Sequence, residues 1–155
     1  MAGVAELDVA QASEPVGLAV PVMRLAAVPD PAGHPRSLWA NDAVIRYLST
    51  QRTTPRDCAP TAIGPAQVQS GLRLLHRYGL LTDHAKASSR AVRLHVLTAR
   101  AVRECTPDAA VPEVLKTAAG ALTELCETVR WGEPEIMAAL LTNISSLDGC
   151  AGDLL

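Results

Sequence analysis

The sequence contains no phenylalanine, and its aromatic complement is Trp39, Trp131, Tyr47 and Tyr78. A core must therefore be assembled from leucine, valine, isoleucine and alanine, and the abundance of alanine favours helix. The same scarcity argues against a surface that stacks unpaired bases, which single-strand and RNA-binding proteins build from interleaved aromatics. Paired cysteines are missing too. Cys58, Cys105, Cys126 and Cys150 stand far apart, with no C-x-x-C motif and no histidine at ligand spacing. This argues against a zinc site and reads as scattered thiols in a reducing compartment. His34, His76, His84 and His95 fall in four separate segments. No Gly-rich phosphate loop, serine elbow or paired-carboxylate motif occurs. The expectation is a protein that is not an enzyme and holds neither metal nor cofactor.

Long apolar runs are also lacking. The most apolar N-terminal stretch, residues 16–28, follows acidic rather than basic residues and is interrupted by Pro21 and Arg24. It reads as neither a signal peptide nor a membrane span, so the expected location is cytoplasmic, with no membrane partner. At 155 residues the chain suits one domain, or a small domain with appended helices.

What the sequence does have is charge divided along its length. Residues 52–103 hold nine Lys and Arg against Asp57 and Asp83, whereas residues 104–155 hold nine acids against Lys116 and Arg130. The net charge of −2 conceals this division. A basic middle third points first to a polyanionic partner. The competing account is that its arginines neutralise the acidic C-terminal part, within one protomer or across a dimer.

Pro15, Pro21, Pro29, Pro31 and Pro35 break up the first 36 residues, and no helical period is sustained there. The segment is expected to be an extended or partly disordered arm, with a short strand in residues 17–22 or 23–28 as a minor alternative. A helix is expected over residues 37–50, with Ser37 or Asn41 as its cap and Leu38, Val44, Ile45 and Leu48 on one side. Residues 51–64 contain Pro55 and Pro60 and can hold only short turns. Pro65 suits a first helical position. The helix it opens runs to residue 78 with Val68, Leu72 and Leu75 facing a core, and Gly79 ends it in a left-handed conformation. Alternation through residues 90–97 predicts a strand whose wet face is basic, paired in a hairpin around a charged loop. Thr98 is expected to cap a helix over residues 99–105. Two amphipathic helices follow, at 113–129 and 134–146, before a Gly-containing tail.

This order of helix, broken helical segment, helix and hairpin is that of a winged helix-turn-helix. The run Gly64-Pro65-Ala66-Gln67-Val68-Gln69-Ser70-Gly71-Leu72-Arg73-Leu74-Leu75-His76-Arg77-Tyr78-Gly79-Leu80-Leu81 resembles the recognition helix and wing entry of that DNA-binding superfamily, of bacterial transcriptional-regulator type. The likeness covers roughly residues 37–104 and is a pattern of packing rather than of chemistry. It departs from the superfamily in the second helix, which Pro55 and Pro60 restrict to a shortened or shifted version near residues 56–63.

The resemblance implies a mainly α fold with a small β-hairpin. The expected parts are a Pro/Ala-rich arm (1–36), a winged domain (37–106) and an acidic helical region (107–155), whose two helices either complete the monomer core or, as their place outside the minimal domain favours, pair with a second copy. The resemblance also implies that the N-terminal half of the Pro65 helix enters the major groove. There Gln67 and Gln69 would pair with adenine, Ser70 with base or phosphate, and Arg73 with guanine or phosphate, while Arg77 lies further along. Arg56 and Thr61 would contact the backbone; Lys86, Ser88, Ser89, Arg90 and Arg93 would track phosphate or probe the minor groove. The expected function is sequence-specific binding of double-stranded DNA by a homodimeric transcriptional regulator. The alternative is a non-enzymatic protein–protein adaptor on a winged-helix or helical scaffold, with a protein partner held through the acidic C-terminal helices.

Overall fold

A computed structural model describes residues 17–53, 63–84, 86–87, 89–129 and 133–154. The described chain is mainly helical with one small antiparallel sheet. Its elements are α1 (Ala19–Ala26), a 3-10 turn (Arg36–Ala40), α2 (Asp42–Gln51), α3 (Pro65–Arg77), β1 (Thr82–Asp83) and β2 (Val92–Arg93). They are followed by α4 (Val96–Glu104), a second 3-10 turn (Asp108–Ala110), α5 (Val111–Thr128) and α6 (Pro134–Leu154).

The described part of the first 36 residues is not an arm. Residues 19–26 form a short helix packed against α2, α3, α4 and α5, with Leu18, Val22, Met23 and Leu25 almost fully enclosed. It spans only eight residues, and Arg24 is the one charged side chain among them, too short a stretch to establish a helical period in a Pro-broken segment. Pro21 sits in its first turn, where a backbone N–H would have no acceptor within the helix, so the missing donor costs little. Residues 1–16 lie outside the described residues.

Asn41, one of the two expected caps, closes the start of α2, its side chain accepting a hydrogen bond from Ala43 N at 2.8 Å. The other candidate, Ser37, lies within the preceding 3-10 turn. In α3 the expected core residues Val68, Leu72 and Leu75 are fully buried, and Gly79 takes φ +69° beyond its end. The strand expected over residues 90–97 is shorter. Only Val92 and Arg93 pair, with Asp83 and Thr82 respectively, and Ala91, expected on the wet face, is buried. His95, not Thr98, caps α4: its Nδ1 accepts from Leu97 N at 3.3 Å, and the helix therefore starts at Val96. The last helix also exceeds its expected end at residue 146 and passes through Gly149 and Gly152. Leu147, Cys150 and Ala151 pack towards the core on that stretch, offsetting a helix-propensity cost of about 1 kcal/mol per glycine.

One loop joins the distant parts. Gly33 has φ +114°, a backbone conformation that favours glycine, and a Cβ there would stand 2.5 Å from Arg93 Cγ. The next residue, His34, exchanges two backbone hydrogen bonds with Val92, at 2.9 and 3.1 Å, so β2 is flanked on both sides. The His34 side chain is buried, with Nε2 accepting from Trp39 Nε1 at 3.0 Å. Asn143 of α6 reaches the same loop, accepting from Asp30 N at 2.9 Å and donating to the Gly33 carbonyl at 3.1 Å.

Burial pushes the His34 imidazole down from 6.5 to about 4. Its neutral form is thus favoured by folding. The stability it contributes is complete above pH 6.5, declines as the pH falls, and is lost below about pH 4. The expected loss over that window is on the order of 3 kcal/mol, read as a fall in the urea midpoint. Replacing His34 with Gln should flatten that part of the profile.

Candidate nucleic-acid interface

The basic segment meets solvent along α3 and the hairpin. Gly64 precedes Pro65, and Gln67 folds back so that its Oε1 accepts from Gly64 N at 3.0 Å. That bond satisfies one of the amide donors left open at the helix start, and it commits the Gln67 carbonyl oxygen to the cap. Val68, Gly71, Leu72 and Leu75 fill the inner side of the helix, so Gln69 and Ser70 are left partly buried and Arg73 and Arg77 exposed. Arg73 Nη2 donates to Ser70 Oγ at 3.1 Å, one helical turn away. At the other end of α3, His76 Nδ1 accepts from Asp83 N at 3.2 Å and fixes where the hairpin leaves the helix.

In the hairpin, Lys86 and Arg93 are exposed and Ser89 is partly buried. Arg93 pairs in register with Thr82. Arg90 has a different position from the one expected. Its Nη1 lies 3.3 Å from Asp30 Oδ2 and 3.5 Å from the Gly33 carbonyl, so it ties the hairpin to the loop before the first 3-10 turn. Arg56, Thr61 and Ser88 lie outside the described residues. The structure therefore puts Arg73 and Arg77 on the outer side of one helix and Lys86 and Arg93 on the hairpin that continues from it. Gln67 and Arg90 have internal partners.

The electrostatics of this region turn on Asp83, the acid that the described part of residues 63–103 contains. It is ion-paired with Arg36, and its side chain is only 4% exposed. Sequence reading missed Arg36, because no local pattern connects positions 47 residues apart. Among the described residues, no ion pair joins α3 or the hairpin to α5 or α6. Arg100 pairs locally with Glu104 at 2.7 Å, and Glu124 accepts from Asn41. The positive charge of Arg73, Arg77, Lys86 and Arg93 is consequently left facing water.

Burial raises the Tyr47 hydroxyl to about 12, opposed by Arg24 and assisted by Glu113, and this group, like His34, belongs to the buried core rather than the basic face. Among the described residues, no group of three or more His, Cys, Asp or Glu could hold a metal ion, and no helix is long and apolar enough to cross a membrane. No known protein family, curated protein or solved structure matches the chain.

These positions separate two kinds of arginine by their effect on folding. Arg90→Ala removes a half-buried ion pair and should lower stability by about 1 kcal/mol, whereas Arg73→Ala, on the exposed side of α3, should stay within about 0.5 kcal/mol of the parent. Urea denaturation of the two variants checks the distinction.

Proposed function

We propose that this protein binds double-stranded DNA in a sequence-dependent way, as a dimeric transcriptional regulator of the winged helix-turn-helix kind. The observation that carries the reading is the unneutralised cationic side of α3 and the hairpin, whose one described acid is buried against Arg36. The order of elements supports it: α2, then α3, then a hairpin anchored to the end of α3 through His76. The shortened second helix that the resemblance calls for falls largely on residues 54–62, outside the described ones.

In this reading α3 lies in the major groove, which is wide enough to admit a helix. Gln69, Ser70 and Arg73 meet base edges, and Arg73 supplies a fork that matches guanine O6 and N7. Arg77, Lys86 and Arg93 meet phosphates, which set register and supply affinity without sequence information. Arg90 contributes by holding the hairpin in place.

Fluorescence anisotropy with a labelled duplex selected from genomic fragments tests this. If Arg77, Lys86 and Arg93 of both copies each meet a phosphate, affinity of the dimer should fall about 1,000-fold between roughly 50 and 200 mM salt. Lys86→Ala, which removes one phosphate contact from each copy, should reduce the logarithmic salt slope by about 1.8 for every sequence alike, while Arg73→Ala should relax preference at one base pair of each half-site, by ~1–3 kcal/mol. Folded protein whose duplex binding is absent, or indifferent to salt, would refute the proposal. Capture of a discrete protein partner under those conditions would favour the adaptor alternative.

A further inference from the structure

We infer that the cleft between α5 and α6 receives a second copy of this chain, giving a two-fold symmetric dimer. The cleft has a volume of about 370 Å³, and its walls include Leu115, Lys116 and Ala119 from α5 and Ile144, Leu147 and Asp148 from α6. Apolar side chains form most of it. Among its described lining residues only Lys116 and Asp148 are charged, one on each helix. Both are exposed, and neither forms an ion pair within the described chain.

That pattern is self-complementary. A two-fold contact applies the same patch to itself, so each residue meets the counterpart of its neighbour across the axis. Lys116 of each copy then faces Asp148 of the other, and both charges are satisfied by one operation. A purely basic or purely acidic partner would satisfy one of them and be repelled by the other. Glu113, Glu124, Glu127 and Glu135 of the two helices do not line the cleft. Leu141, 56% exposed, lies two helical turns before Asp148 along the same edge of α6. A second copy laid along that edge covers it.

The inference names the surface that the dimer of the DNA-binding reading would use, and its test is made without DNA, so the two can fail separately. Sedimentation equilibrium of the full chain should show a monomer–dimer equilibrium. Lys116→Glu and Asp148→Lys should each weaken association at least tenfold, leaving mostly monomer. Mixing the two variants should restore the dimer, because both cross-axis contacts then join opposite charges. Far-UV circular dichroism of each variant, expected to match the parent because both side chains are exposed, establishes that association rather than folding has changed. A parent chain that is monomeric at every concentration would overturn the inference. So would single variants that remain dimeric, or folded variants whose mixture does not associate.

Discussion

The loop from Asp30 to His34 is the constraint on which the arrangement depends. It lies between α1 and α2 in sequence, yet it supplies a second hydrogen-bonded neighbour to Val92 of the hairpin, buries a histidine against Trp39, and receives both ends of the Asn143 amide from α6. Each of these bonds contributes roughly 1 kcal/mol net, but leaving one buried partner unmade costs about 1–3 kcal/mol. The bonds therefore stand or fall together. Asn143 also donates to Ala139 O at 2.7 Å, so its orientation is fixed from its own helix as well as from the loop. Gly33 is required because the turn that brings these partners together has a positive φ and no space for a Cβ.

That loop also explains how charge is distributed. Arg90 contacts Asp30 at the loop, and Asp83 of β1 contacts Arg36 immediately after it. Both pairs sit where backbone segments converge and solvent is limited, and there a carboxylate without a cation would be costly. The cations further out, on α3 and on the exposed side of the hairpin, meet no such requirement. The polarity read along the sequence is thereby resolved into an inner set of charges that hold the hairpin to the body and an outer set available to a partner. Within one protomer the described residues form no ion pair between α3 or the hairpin and α5 or α6, and the pair they do form between the basic segment and the C-terminal acids is the local Arg100–Glu104 contact.

What the sequence revealed follows from the range of the forces involved. Helix α3 was legible almost to the residue because its signals are local: Pro65 at the start, Val68, Leu72 and Leu75 at helical spacing, and Gly79 after the end. Helix α1 was not, since it spans only eight residues and its Pro21, among the other prolines of the segment, resembles a linker. The strand was overextended because His95 can serve equally as an outward strand residue or as a helix cap, and only the tertiary path of the chain decides. Of the candidate contact residues, the exposed character of Arg73, Arg77 and Arg93 followed from periodicity, and that of Lys86 from its polar loop. The internal commitment of Arg90 to Asp30, 60 residues away, left no local trace.

Helix α6 has two edges with different contacts, one against the Asp30–His34 loop and one along the cleft with α5. Asn143 is fully buried against the loop that flanks β2, while Ile144 and Asp148 line the cleft with α5. A load applied along the cleft edge passes to the hairpin through a single rigid helix and the two hydrogen bonds that Asn143 makes to the Asp30–His34 loop. The loop is itself held by the backbone bonds of His34 to β2, by Arg90 and by the His34–Trp39 bond. Two copies joined along α6 would therefore hold their hairpins, and the α3 helices from which those hairpins depart, at a fixed separation. Fixed separation is what reading two half-sites demands, because their spacing follows the helical repeat of the duplex and tolerates little slack.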